Sequence, residues 1–188
     1  RDRGSPMNSA TIKYFDIANG TGVRTTLFVS GCRLHCPHCF NEEAWDFNAG
    51  KPFDRATEDK IIASLEPDFM DGITILGGEP TEPENQASLV DFLERVRRER
   101  PDKGVWMYSG HSWEQLRPGG SQHTEHTDRI LACLDVLVDG PFVQDLYDIT
   151  LRFRGSSNQR IIDVPASLAA GEVVLWQDDP VFATHTME

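Results

Sequence analysis

The sequence predicts an α/β fold with a mostly parallel sheet. Short apolar segments rich in β-forming residues alternate with longer segments of helical periodicity. Several apolar segments end in glycine or a polar residue, as at ITIL (73–76), which runs into Gly77 and Gly78. This alternation is typical of βαβ units, in which functional groups lie at the carboxyl ends of the parallel strands.

The first predicted elements lie between residues 25 and 76. TTLFV (25–29) leads directly into a cysteine-rich loop and predicts a strand. TEDKIIASLE starts at Thr57 with a hydroxyl cap and early acidic residues, which predicts the start of a helix. ITIL is entirely apolar and predicts a buried strand.

The clearest predicted helix ends before Pro101. Its apolar residues recur at spacings of three and four and form one face: Leu89, Phe92, Leu93 and Val96. Its arginines are interpreted as a solvated surface or as a docking surface for an acidic electron donor: Arg95, Arg97, Arg98 and Arg100. Further on, VWMY (105–108) and VLV (136–138) predict strands on either side of a helix, TDRILACLD. RIIDV and EVVLW near the end are also strand-like.

Polar and glycine residues follow these predicted strands and are expected to gather at one edge of the sheet. They are the cysteine loop, Gly77, Gly78, Glu79, Ser109 and Asp139. No internal repeat or linker interrupts the 188 residues, of which 39% are apolar and 26% charged, so we expect one domain. RDRGSP precedes Met7 and is interpreted as a vector remnant, which leaves residues 7–188 as the domain.

The charge and hydropathy exclude two classes of partner. A net charge of −12 is unsuited to a nucleic-acid backbone. No apolar run approaches the roughly 18 residues that span a membrane, and the start shows no signal-peptide pattern. We therefore expect a cytoplasmic protein with no nucleic-acid or membrane partner.

Three of the four cysteines lie within GCRLHCPHCFN (31–41), at Cys32, Cys36 and Cys39. Clustered thiolates favour zinc, copper(I) or iron–sulfur clusters. A structural zinc site needs a fourth ligand, for which the sequence offers His35, His38 or Cys133. Iron–sulfur clusters normally take four cysteines, so three would leave one iron open. Cys133 lies in a predicted helix and is interpreted as a buried, inert thiol.

The C-x3-C-x2-C spacing, followed by GGEP (77–80) directly after ITIL, resembles the radical S-adenosylmethionine (SAM) enzymes. The resemblance implies a partial, open β/α barrel. It also implies a 4Fe–4S cluster held by Cys32, Cys36 and Cys39, whose open iron chelates the amino and carboxylate groups of SAM.

Further segments between Ile17 and Gln159 resemble the activases of anaerobic (class III) ribonucleoside-triphosphate reductases. They are NGTGVRTTLFVSGC, CPHCFNEEAW, GKPF, WMYSG, VLVDGPFVQDL and RGSSNQ. The resemblance implies that a flavodoxin-like donor reduces the cluster, that SAM is cleaved, and that the resulting radical takes a hydrogen from a glycine of the reductase large subunit. It ends before Val164, and VVLWQ in the remaining extension is interpreted as an edge strand or an interface piece.

The resemblance also implies which residues bind SAM: His38, Cys39, Phe40, Gly77, Gly78 and Glu79. Glu79 is expected to meet the amino group. Ser109 and Asp139 are candidates for ribose or methionine contacts, or equally for capping a helix or turn. Asn158 and Gln159 are interpreted as shaping the entrance for the glycine loop or a local turn.

Other polar residues receive less specific interpretations. Arg24 is expected to contact the cluster region or the partner, or to form a surface pair. The remaining histidines are interpreted as surface residues: His111, His123, His126 and His185. Two other functions stay open, namely a radical SAM enzyme for a small molecule and a non-enzymatic zinc or electron-transfer module.

Overall fold

The computed structural model describes residues 7–180, in which seven strands form one mixed sheet. The strands are β1 (Asn8–Asp16), β2 (Arg24–Val29), β3 (Lys51–Pro52), β4 (Gly72–Gly77), β5 (Gly104–Ser109), β6 (Val136–Asp139) and β7 (Arg160–Asp163). Their order is β3-β1-β2-β4-β5-β6-β7. Residues 1–6 and His185, interpreted above, lie outside the described residues.

Between residues 7 and 180, five α-helices with assigned bounds accompany the sheet. They are α1 (Arg55–Ser64), α2 (Pro83–Glu99), α3 (Trp113–Leu116), α4 (Thr127–Cys133) and α5 (Val164–Ala170). Two short 3₁₀ turns, Glu42–Ala44 and Gln144–Leu146, lie in the loops after β2 and β6. The predicted helices at TEDKIIASLE, before Pro101 and at TDRILACLD are confirmed as α1, α2 and α4.

Four parallel strands form the centre of the sheet, which confirms the predicted α/β class. β2 pairs with β4, β4 with β5 and β5 with β6, all in parallel. The sheet is open, and its outer strands β1, β3 and β7 pair antiparallel with their neighbours. Val29 pairs with Gly77 and Ser109 with Asp139, so the carboxyl ends of all four parallel strands meet at one edge. A partial barrel of the radical SAM type stays a prediction.

One face of the sheet packs against the helices. Leu27 of β2 and Ile75 of β4 join Phe92 and Leu93 of α2 in the main core, each with no exposed surface. Burying an aliphatic or aromatic side chain of this size contributes about 1.5–3 kcal/mol. The alternating strand residues, such as Phe28 and Leu76, lie on the other face and line a cavity.

Two sequence interpretations near the helices are corrected. α1 begins at Arg55, and its cap is Asp54, whose carboxylate accepts the N–H of Thr57 at 2.8 Å, so Thr57 is not the cap. Most of the arginines interpreted as a solvated surface instead form hydrogen bonds or ion pairs within the protein. The Arg95 guanidinium pairs with Asp59 at 2.8 Å, and Arg97 and Arg100 donate to carbonyls of neighbouring segments. These side chains tie α2 to the rest of the domain.

Arg24 is a buried structural residue, contrary to the interpretation as a cluster or surface contact. It lies at the first position of β2, 2% exposed, at the edge of the sheet away from the cysteine loop. Its guanidinium donates to Thr74 Oγ1 at 2.9 Å and to the carbonyls of Ile73 and Gly104 at 2.9 and 2.8 Å. Burial lowers its pKa to about 10. Arg24 therefore joins the amino ends of β2, β4 and β5.

The chain after β7 packs back onto the sheet. Asp163 caps α5 by accepting the N–H of Ala166 at 3.0 Å. The segment EVVLW, predicted as a strand, contributes a single antiparallel bridge between Leu175 and Ile162. The Trp176 ring meets Trp106 edge-on at 5.3 Å. Within residues 7–180, no helix is both long and apolar enough to cross a membrane.

Candidate functional site

The cysteine loop begins where β2 ends and is fixed by main-chain hydrogen bonds. The N–H of Gly31 donates to Ala44 O at 2.7 Å, and the N–H of Cys32 donates to Trp45 O at 3.0 Å. Gly31 has φ 100°, a left-handed conformation that favours glycine. The loop is therefore held against the turn that follows it, and Cys32 is only 8% exposed.

The three thiols differ in their surroundings. Burial raises the pKa of Cys32 to about 11 and also raises the pKa of Cys36. Cys39 Sγ accepts the N–H of Asn41 at 3.4 Å. Because thiolates are the form that binds metal, a bound cationic centre would have to lower the pKa of the first two. The irons of an iron–sulfur cluster would supply that stabilisation through their positive charge.

All three cysteines line one cavity of about 530 Å³. The fourth, Cys133, packs in the hydrophobic core and is confirmed as a buried thiol. Among residues 7–180, no group of three or more His, Cys, Asp or Glu side chains is arranged to hold a single metal ion. The thiols of Cys32, Cys36 and Cys39 are soft donors of the kind that iron–sulfur clusters take.

The two histidines of the loop do not complete this donor set. His35 and His38 have φ values of 47° and 60°, uncommon for residues other than glycine. The His35 ring stacks on Trp45 with centroids 4.2 Å apart. His38, a predicted SAM contact, is exposed. Its left-handed backbone turns the chain between Cys36 and Cys39.

Gly77 and Gly78 lie beside the cysteine loop, as predicted. The N–H of Gly78 donates to Val29 O at 2.8 Å, and both glycines line the cavity. A Cβ on Gly77 would lie 2.5 Å from Val29 N, and one on Gly78 would lie 2.6 Å from Gly31 O. These positions therefore accept only glycine, which leaves main-chain atoms accessible at the cavity wall.

The Glu79 carboxylate is 1% exposed and fully occupied by the protein. Oε1 accepts the N–H of Gly110 at 2.8 Å, and Oε2 accepts the Ser109 hydroxyl at 2.7 Å and the N–H of Thr81 at 3.0 Å. His111 Nδ1 lies 3.3 Å from Oε2. Burial opposes ionisation, but hydrogen bonds from His111, Thr81 and Ser109 outweigh it and lower the pKa of Glu79. The carboxylate thus joins the carboxyl ends of β4 and β5.

His111 and Ser109 belong to this network. His111 is 6% exposed, so its interpretation as a surface residue is wrong. Its Nδ1 lies 2.9 Å from Thr81 Oγ1, and its N–H donates to Ser109 Oγ at 3.0 Å. A single histidine in a polar sequence context gave no sign of burial, because Glu79 and Thr81, which contact its ring, come from the end of another strand. Ser109 lines the cavity as well as supporting Glu79.

Asp139 is placed at the carboxyl end of β6, as predicted, but its contacts are with the protein. It is 1% exposed, accepts the N–H of Trp113 at 2.8 Å and pairs with Arg160 at 2.6 Å. Gln159 donates to Gly140 O at 3.0 Å and accepts the N–H of Gly155 at 2.9 Å, and Asn158 donates to Pro141 O. These contacts match the predicted turn at RGSSNQ.

Exposed aromatic side chains surround the cavity beside the cysteines. Phe40, 65% exposed, packs against Phe142 with centroids 4.9 Å apart and against Tyr147 at 6.2 Å. Ile149, 83% exposed, lies on the same lining. Of this group, only Phe40 was predicted as a site residue from the sequence, although VLVDGPFVQDL contains Phe142. The pattern of that segment gives no sign of its proximity to residue 40.

Comparison with known proteins identifies the family. A family model described as a 4Fe-4S single cluster domain matches residues 18–162. The anaerobic ribonucleoside-triphosphate reductase-activating protein of Escherichia coli (strain K12) is 42% identical over 155 residues, covering 81% of this chain and 96% of that protein. The protein of that name from Vibrio cholerae is 38% identical over 157 residues, covering 82% and 97%. That of Enterobacteria phage T4 is 30% identical over 155 residues, covering 82% and 93%. The chain therefore belongs to the family of anaerobic ribonucleoside-triphosphate reductase-activating proteins, with a 4Fe–4S domain.

Proposed function

We propose that this protein is a radical SAM activase that generates a glycyl radical on the large subunit of an anaerobic ribonucleoside-triphosphate reductase. The observation that carries the proposal is the meeting of two motifs at one cavity. Cys32, Cys36 and Cys39 line it together with the glycine pair Gly77–Gly78. The names of the relatives supply the partner, since they are activating proteins of that reductase.

Cys32, Cys36 and Cys39 are proposed to hold the 4Fe–4S cluster, with one iron left for SAM. When bound and reduced, the cluster supplies the electron that splits SAM into methionine and a 5′-deoxyadenosyl radical. The chain's own contribution is to position SAM and to exclude water. Leu34, Leu76 and Phe153 give the cavity apolar walls for the second task.

The glycine pair is the proposed seat of the SAM amino group. Gly77 and Gly78 line the cavity without side chains, and a main-chain carbonyl oxygen can accept a hydrogen bond from an ammonium group. The Glu79 carboxylate acts behind them as a positioning group, because its oxygens already accept protein donors. Phe40 and His38 flank Cys39 and are proposed to contact SAM from the loop side.

Ser109 and Asp139 keep different proposed roles. Ser109 Oγ lies on the cavity lining and is proposed to reach the ribose or the methionine moiety. Asp139 is proposed to position α3 and β7 through Trp113 and Arg160. The half-buried Cys36 and Cys39 leave the loop approachable, as a flavodoxin-like electron donor requires. All four cysteines are free, as expected in a reducing compartment, and we place the protein in the cytoplasm.

Electron paramagnetic resonance of the anaerobically reconstituted, reduced protein tests the cluster and SAM together. A 4Fe–4S signal that changes when SAM is added is expected, and Cys36→Ala should abolish it. Cys133→Ala is the matched control, because that thiol lies in the core away from the cavity. A signal indifferent to SAM would indicate an electron carrier, and tightly bound zinc without iron would indicate a structural metal site.

The partner is tested separately with the cognate reductase large subunit. Wild-type protein with SAM and reductant should form 5′-deoxyadenosine and a glycyl radical signal on the reductase. Deoxyadenosine formation without any glycyl radical would point to a small-molecule substrate. Absence of both products from cluster-loaded protein would refute the proposed function.

A further inference from the structure

Arg33 directly follows the first cysteine of the loop, and its side chain reaches the start of α2. The guanidinium forms a fork with the Glu84 carboxylate, in which Nη1 lies 3.0 Å from Oε2 and Nη2 pairs with Oε1. The same Nη1 also donates to Glu82 Oε2. A fork of two N–H···O bonds fixes the orientation of an arginine as well as its charge. Arg33 therefore joins the cysteine loop to the first turn of α2.

Glu82 is the buried partner in this contact. It occupies the N-cap position of α2 and is 3% exposed, and its Oε1 accepts the main-chain N–H of Arg33 at 2.9 Å. That nitrogen belongs to the peptide bond with Cys32, so the carboxylate holds the main chain directly beside the first cysteine. Because a buried carboxylate is costly without a compensating charge, the Arg33 guanidinium stabilises Glu82 where it lies.

Phe47 holds the other side of the same short segment. The Arg33 guanidinium lies over the Phe47 ring, with its central carbon 4.6 Å from the ring centroid. A Cβ added to Gly31 would clash with this ring, so Phe47 packs directly against the main chain before Cys32. The residues on both sides of Cys32 are thus fixed, Gly31 by the Phe47 ring and Arg33 by the carboxylates of α2.

The contact also balances charge beside the cysteine loop. Glu82 and Glu84 bring two carboxylates to this loop in a protein of net charge −12. Reduction of a 4Fe–4S cluster adds one negative charge to it, and net charge is among the factors that set cluster potentials. The Arg33 guanidinium offsets one of the two carboxylates. Its side chain is 56% exposed, so solvent and salt screen the effect and keep it modest.

We propose that Arg33 is a positioning residue for the 4Fe–4S cluster. It docks the cysteine loop on α2 before the cluster binds, and it offsets the carboxylates of Glu82 and Glu84 when the cluster is reduced. Arg33 acts through the main chain of Cys32 and through α2, and it contacts neither SAM nor the reductase in this role. The inference rests on the proposed cluster ligands, and it is tested without SAM or reductase.

Arg33→Gln removes the charge and the fork. Arg129→Gln is the matched control, because Arg129 is 51% exposed and also pairs with two carboxylates, Asp91 and Glu94, further along α2. In anaerobically reconstituted protein, a chelator should remove iron from Arg33→Gln about tenfold faster than from wild type, the effect of one lost charge-assisted pair. A redox titration followed by electron paramagnetic resonance should show a more negative potential, with reduction about threefold less favourable. Arg129→Gln should stay within twofold of wild type in both measurements.

The double variant Arg33→Gln/Glu82→Gln separates charge from docking. It removes one positive and one negative charge, so the net charge beside the loop equals that of wild type. The potential should therefore return close to the wild-type value, while iron is still lost faster because the fork is absent. A contribution of Arg33 to structure alone would not be corrected by removing its partner as well.

The iron-free proteins test whether the loop is docked before the cluster binds. Chymotrypsin should cleave after Phe47 about fivefold faster in Arg33→Gln than in wild type or Arg129→Gln, because the undocked loop opens more often. This readout also covers a variant that loses its cluster too quickly for titration.

Four results would count against these conclusions. Iron loss and potential of Arg33→Gln within twofold of wild type would overturn the proposal, as would equal changes in Arg129→Gln. Unchanged chymotrypsin cleavage would overturn docking before cluster binding, and a potential that the double variant leaves uncorrected would overturn the charge-offsetting role. A wild-type protein that takes up no iron would instead refute the proposed function, and the cleavage comparison would still report on docking.

Discussion

Glu79→Gln separates a structural role of this carboxylate from direct ligand binding. The family resemblance implies that Glu79 meets the SAM amino group, whereas in the structure its oxygens accept hydrogen bonds from Gly110, Ser109 and Thr81. Glutamine keeps the shape and one acceptor oxygen but replaces the other with an NH₂ donor. If the group is structural, the substitution should act first on stability.

The magnitude follows from the two orientations of the amide. An NH₂ group in the place of Oε2 would face two other donors, the Ser109 hydroxyl and the N–H of Thr81, and could accept a hydrogen bond from neither. In the place of Oε1 it would oppose only the N–H of Gly110, so this orientation costs less. One hydrogen bond to a charged group is worth about 1.5–3 kcal/mol, and an unsatisfied buried donor costs about 1–3 kcal/mol. We expect the free energy of unfolding to fall by about 2.5–6 kcal/mol, the sum of these two contributions.

Urea denaturation at a series of pH values measures this loss. The pKa of Glu79 is lowered in the folded protein despite its burial, because His111, Thr81 and Ser109 donate to the carboxylate. The stability it contributes is present above the unfolded-state pKa of about 4.3 and is lost as the pH falls through the lower folded-state pKa. The difference between wild type and Glu79→Gln should therefore be constant near pH 7 and shrink below about pH 4.

Glu125→Gln is the control, because the Glu125 side chain is 86% exposed and should change stability by less than about 0.5 kcal/mol. The structural reasoning would be refuted by an equally small change in Glu79→Gln that does not depend on pH. A large loss of SAM affinity in that stable variant would instead assign the carboxylate to the SAM amino group.

Three further predictions concern the surroundings of the site. Arg24→Met should lower the free energy of unfolding by about 3–5 kcal/mol in urea, because it removes a buried hydrogen-bonding hub; lost SAM binding at unchanged stability would contradict this. Gly78→Ala should lower the iron content after reconstitution, since its Cβ would meet a main-chain oxygen of the cysteine loop at 2.6 Å. Gly104→Ala, whose Cβ would have no contact closer than 3.5 Å, should retain iron. Trp176→Ala should cost about 1–3 kcal/mol with deoxyadenosine formation retained, and abolished cleavage in a folded variant would exclude this purely structural role.

The sequence predicted those elements whose pattern reflects one-sided or complete burial. α2 follows from apolar spacing along one face, and β4 from its unbroken apolar run. The gathering of Ser109 and Asp139 follows from parallel pairing alone, since they are directly opposed in the register. β1 was not predicted, because most of its side chains are at least partly exposed and give no alternating apolar pattern.

Arg24 and His111 show why the environments of single polar residues were harder to predict. Both residue types usually lie at the surface, and nothing local distinguishes these two. Arg24 is buried because its guanidinium donates hydrogen bonds to carbonyl oxygens at the ends of β4 and β5, 49 and 80 residues away in sequence. His111 is buried because Glu79 and Thr81 reach it from the end of β4. Such burial is set by tertiary pairing and carries no sequence period.

The amino ends and the carboxyl ends of the parallel strands are stabilised by two different buried charged residues. The residue at the carboxyl ends explains why the main chain beside the cysteines can remain accessible. Arg24 joins the amino ends through carbonyl oxygens, and Glu79 joins the carboxyl ends through hydroxyl and amide donors. The buried Glu79 carboxylate links the end of β4 to the end of β5 by hydrogen bonds. The neighbouring Gly77 and Gly78 therefore do not have to supply side chains that make this link. The main chain at Gly77 and Gly78 therefore stays accessible at the cavity wall, next to the three cysteines. Loss of either buried charge should loosen one end of the sheet, but only loss of Glu79 should disturb the position of the glycine pair relative to the cysteine loop.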